Sequence, residues 1–134
     1  MTEIEKSEVV IAKILTLLME WGIQECDLRF EELELDPKEY GSFFFSCVHW
    51  LENEGLIRTS RIDCFMDAAH AGVVNRPVLT SYGFYILGTK VKIGDHEATL
   101  SETVKEVSSS AGNYSNIGDF FGGLLGGFTK SVGS

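Results

Sequence analysis

The sequence predicts a mainly α domain with a small antiparallel β-hairpin, continued by a C-terminal helical extension. Three observations carry that reading. Residues 36–57, DPKEYGSFFFSCVHWLENEGLI, hold apolar side chains at helical spacing between a clear start and a clear stop. Beyond Gly55 the helical period gives way to two strand-like runs, and the last residues combine helical apolar spacing with repeated glycines.

Taken in order, Thr2 and Glu5 have capping-box spacing, and Val10, Ile11, Ile14, Leu15, Leu18 and Trp21 follow as a helical stripe that stops at Gly22. Residues 23–27 form a connection. Leu28, Phe30, Leu33 and Leu35 fit a short helix beginning at Asp27 better than a strand. Asp36 can cap the central helix, Pro37 suits its first position because a missing N–H is unneeded there, and Glu39 stands where a capping box places an acid. Tyr40, Phe43, Phe44, Cys47, Val48 and Leu51 then make one apolar stripe, and Trp50 lies close to it. Residues 56–63 and 73–80 read as paired strands, the second carrying Pro77, which prefers an edge. Met66 to Gly72 form the loop between them. Thr80 or Ser81 caps a helix that ends near Gly88.

After Gly88, Leu100, Val104 and Val107 mark a modest helix begun by Thr99 or Ser101, and residues 108–116 are a polar linker. The expected division is therefore a domain over residues 1–88 and an extension over 89–134. In the tail, Ile117, Phe120, Phe121, Leu124, Leu125 and Phe128 share one helical face, while Gly118, Gly122, Gly123, Gly126 and Gly127 fill the gaps. Each of these glycines costs about 1 kcal/mol against alanine in a helix, so the tail needs support. Docking on its own domain or pairing in a homo-oligomer is expected ahead of insertion at a membrane surface, since Lys130 is its only cation; disorder is a further alternative.

A chain of 134 residues buries a core without disulfides or metals. Its net charge of −9 is uneven, because residues 1–55 carry four Lys/Arg against thirteen Asp/Glu while the remainder is balanced. That excess disfavours a phosphate-binding face in the first half and favours a basic partner. Cys26, Cys47 and Cys64 form no CxxC pair and read as reduced cysteines. No secretory leader and no membrane-length apolar run is evident, so a cytoplasmic location is expected.

WLENEGLI at residues 50–57 and LTSYGFYIL at residues 79–87, placed after two helices and a third, resemble the winged-helix family over about residues 4–88. The first segment looks like the end of that family's third helix entering a wing strand, the second like the other wing strand entering a closing helix. The resemblance implies a winged-helix-like fold, and with it either DNA or protein as ligand.

For DNA, the third helix would offer Lys38, Ser42, Ser46 and His49, with Arg58, Arg61 and Arg76 on phosphates near the wing. Three arginines neutralise about three phosphates, short of the six to ten contacts of steeply salt-dependent binders. For protein, Glu39, Phe45, His49 and Glu52 would form an aromatic centre with an acidic rim. Packing of Phe45 and His49 against the rest of the chain is the structural alternative. Cys64, Asp67 and His70 are spaced by three and three but fall in the loop and lack a fourth ligand, so no metal site is expected. No P-loop, GxSxG or HExxH motif occurs, and no cofactor or catalytic role is expected. The expected function is non-catalytic binding of a basic protein. In size and charge the chain is similar to bacterial immunity and antitoxin proteins that cover a toxin, often a basic nuclease. A winged-helix transcriptional regulator is the alternative.

Overall fold

The computed structural model describes residues 2–93 and 96–109. The tail expectations, from residue 110 onward, lie outside the described residues. Helix α1 (Glu3–Trp21) starts where Thr2 accepts the Glu5 amide on its hydroxyl and ends at Gly22, whose φ of +69° places it in the left-handed region. Its buried positions, from Val9 and Val10 through Ile14 and Leu15 to Leu18, form the spine of the core.

Strand β1 (Asp27–Leu28) follows, and then a 3₁₀ turn (Phe30–Leu33). A helix beginning at Asp27 was the sequence expectation. Instead β1 pairs with a strand that lies more than forty residues on, and Phe30 and Leu33, three apart, turn inward together on the 3₁₀ repeat.

The central helix is broken into three pieces. Asp36 caps α2 (Pro37–Tyr40) by accepting the Lys38 amide at 3.0 Å, a 3₁₀ turn follows (Gly41–Phe43), and α3 (Phe44–Asn53) completes the run. The break falls at Gly41, where a β-carbon would lie 2.8 Å from Nδ1 of His70. The loop carrying His70 therefore lies directly on the backbone of this turn, and the imidazole also meets Phe30, ring centroids 5.1 Å apart.

The two expected strands are likewise split. β2 (Ile57–Arg58) pairs antiparallel with β5 (Val78–Leu79), and β3 (Arg61–Cys64) pairs with β4 (Gly72–Asn75). β4 lies between β1 and β3, giving a three-stranded sheet of order β1-β4-β3. Pro77 occupies the break between β4 and β5, where no ladder bond is asked of it.

Helix α4 (Ser81–Leu87) is capped by Thr80, which accepts the Gly83 amide at 2.9 Å and donates to the Gly55 carbonyl at 2.5 Å. A hairpin of β6 (Lys90–Ile93) and β7 (His96–Thr99) leads into α5 (Leu100–Ser109), whose first turn is capped by Thr99. α5 packs on α1, and Leu100, Val104 and Val107 belong to the same hydrophobic cluster as Ile14 and Leu51. Residue 88 is thus no edge of the core. The chain is mainly helical with small antiparallel sheets, and no described helix is long and apolar enough to cross a membrane.

Candidate functional site

The outward surface of the turn and helix over residues 30–40 is built by a simple division of side chains. Phe30, Leu33 and Tyr40 are buried, whereas Glu31, Glu32, Glu34, Asp36 and Glu39 are all exposed. Glu34 ends the 3₁₀ turn in the left-handed region, φ +57°, and Asp36 follows at the helix cap. Five carboxylates therefore stand within nine residues, with Lys38 the one cation among them. Among the described residues the ion pairs are Arg61 with Asp63 and Arg76 with Glu25, so none of the five is neutralised by a salt bridge there. Burial first, and then the charges of Glu39 and Asp36, raise the Tyr40 phenol above its ordinary range. Mutual repulsion of this kind is relieved by a cationic surface.

Of the residues expected to form a partner site, two are exposed, one is half-buried and one is buried. Glu39 is exposed on α2 and His49 on α3. Phe45, expected at the centre of that site, is buried at 7% exposure, 4.8 Å from the Phe44 ring between centroids. The hairpin covers it: a β-carbon on Gly72 would lie 2.7 Å from Cζ of Phe45. Glu52 is half-buried and accepts the Thr59 hydroxyl at 2.6 Å, which ties the end of α3 to the residue after β2. Glu31, Glu32 and Glu34 were not singled out from sequence. Their signal was present, since acids alternate with Phe30, Leu33 and Leu35 in FEELEL.

The residues considered for nucleic acid are also divided. Lys38 is exposed beside Glu39, and Arg61 is held by Asp63 at 2.8 Å. Arg58 and Arg76 share a cleft of about 270 Å³ with Gln24, Glu25 and Ser60. The hairpin loop contributes no Lys or Arg between Ile62 and Asn75, and it exposes Phe65 and Met66 instead.

Cys64 is exposed, but His70 is turned into the Phe30 and Gly41 contact, so the Cys64, Asp67 and His70 spacing does not converge. Among the described residues no group of three His, Cys, Asp or Glu side chains is placed to hold a metal ion. All three cysteines are free thiols, and burial pushes Cys47 up to about 12 despite a contact from its Sγ to the Ser7 carbonyl at 3.7 Å. Such a thiol is a packing residue rather than a nucleophile. Comparison of the chain with protein-family models, with curated proteins and with solved structures yields no match.

Proposed function

We propose that the chain is a non-catalytic, cytoplasmic protein-binding domain of winged-helix type that captures a basic partner on the acidic surface of residues 31–39. The winged-helix reading is supported by three features: two α-helices ahead of α3, the wing-like pair β3 and β4 after it, and the β1-β4-β3 order. The observation that carries the functional reading is the run Glu31, Glu32, Glu34, Asp36 and Glu39, exposed together and free of salt bridges among the described residues. Carboxylates so placed speed the encounter with a cationic surface and select against an acidic one. An immunity- or antitoxin-type inhibitor that covers a basic toxin, such as a nuclease, fits this chemistry.

A DNA-binding regulator is the competing class. Its support weakens because α3 carries no Lys or Arg, the loop offers none, and Arg61 is already paired. The test is capture from source cells by the tagged chain, compared with a variant carrying Gln or Asn at the five acidic positions. A basic protein retained by the native chain and lost by the variant supports the proposal. Capture that ignores the five substitutions, or tight duplex binding abolished by Arg58→Glu with Arg61→Glu, contradicts it.

A further inference from the structure

The cleft between the loop after α1 and the junctions of the four central strands holds two arginines on an otherwise acidic molecule. It measures about 270 Å³, and Arg58, Ser60 and Arg76 line it together with Gln24 and Glu25. We propose that this cleft is a binding site for a small phosphate-bearing ligand, a phosphate monoester or the free ion, independent of the acidic surface described above.

Three observations point there. Arg58 makes no ion pair among the described residues, so its guanidinium stands available at the cleft. Arg76 is joined to Glu25 at 3.4 Å, with the two side chains 58% and 78% exposed. That distance is longer than a charge-assisted hydrogen bond, and an exposed pair of this kind is readily exchanged for a better anion. Glu25 thus marks the position an incoming phosphate would take.

The third observation concerns the backbone. Arg76 has φ +49°, one of only two non-glycine residues among those described with a positive φ. Glycine or asparagine meets that conformation at lower cost. Its amide is bonded to the Cys26 carbonyl at 3.0 Å, and Pro77 follows, so the turn that carries Arg76 is fixed beside the cleft. An arginine kept where a cheaper residue would serve the turn is accounted for by what its side chain binds. Two guanidiniums suit the two charges and several acceptor oxygens of a phosphate monoester, and the cleft volume suits a phosphate with a small attached group.

The test is a titration of the isotopically labelled full chain with inorganic phosphate and with phenyl phosphate, at constant ionic strength, following amide resonances by NMR. Saturable shifts at Thr59, Ser60 and Arg76 are expected, absent with chloride. Arg58→Gln and Arg76→Asn should each weaken binding at least about tenfold, and Glu25→Gln should strengthen it. Arg76→Asn should also leave the unfolding temperature unchanged or raise it, which separates lost binding from lost folding. Shifts reproduced by chloride, binding by either arginine variant as tight as that of the native chain, or a cleft that responds to duplex DNA but to neither phosphate overturns the proposal.

Discussion

The ring of Phe45 lies against the α-carbon of Gly72, so that a β-carbon there would come within 2.7 Å of Cζ and within 2.1 Å of the Asp63 carbonyl oxygen. This contact fastens the β3–β4 hairpin onto α3 and removes from the surface an aromatic ring that helical spacing alone would leave outside. Gly72→Ala meets both obstacles at a φ of +143°. A loss of about 3 kcal/mol or more is expected in urea unfolding; a change within about 0.5 kcal/mol would show that the hairpin moves freely.

Phe45→Ala and His49→Ala should separate cleanly. Phe45 is 7% exposed and part of the core, so its truncation should cost about 3–5 kcal/mol. His49 is exposed on the same helix, and its truncation should stay within about 0.5 kcal/mol. Chemical denaturation of the two variants checks this directly.

Glu8 supplies a pH dependence. It is 1% exposed with Oε2 lacking a hydrogen-bond partner among the described residues, and burial, helped by the charge of Glu5, pushes its carboxyl up to about 8. Between the ordinary value of 4.5 and about 8 the folded chain holds a proton that the unfolded chain has released. Stability from this group is therefore full below the lower value and is lost as pH rises through the upper one. Glu8→Gln abolishes that dependence. Relative to the native chain it should be near neutral at pH ~5 and more stable by roughly 2–3 kcal/mol at pH ~8.5. Urea titrations at both pH values decide the matter, and a constant difference would contradict the assignment.

Thr80 joins the end of α3 to the start of α4. Its hydroxyl accepts the Gly83 amide at 2.9 Å and donates to the Gly55 carbonyl at 2.5 Å. Thr80→Ala should cost about 1–2 kcal/mol, and Thr80→Ser most of a kilocalorie less. Thermal unfolding of the pair provides the comparison, and equal losses would mean that the methyl group, not the hydroxyl, does the work.

Much of the helical framework was legible because its signals are local. Thr2 with Glu5, Asp36 with Pro37, and Thr80 ahead of Gly83 each fix a helix start within four residues, and Gly22 fixes a stop. The features that escaped depend on distant partners. β1 spans two residues, too few to show alternation, and exists because β4 lies beside it. The 3₁₀ break at Gly41 preserves the apolar spacing on both sides, and the glycine there gives room to His70, which sits in a loop 29 positions later. The burial of Phe45 follows from Gly72 in the same way. Stripe counting places Phe45 on a flank, and only the hairpin decides that the flank is covered. For the candidate site, the acidic excess of the first half was readable, but which side chains of residues 30–40 stand exposed required knowing that Phe30 and Leu33 turn inward on a 3₁₀ repeat.

The most direct measurement of the central claim is the association rate of the captured partner with the native chain and with the variant neutralised at Glu31, Glu32, Glu34, Asp36 and Glu39, followed across ionic strength. The proposal predicts a native rate that falls about tenfold or more from low to physiological salt, and a variant rate that is slow and nearly flat. Equal rates for the two proteins at every ionic strength would contradict it.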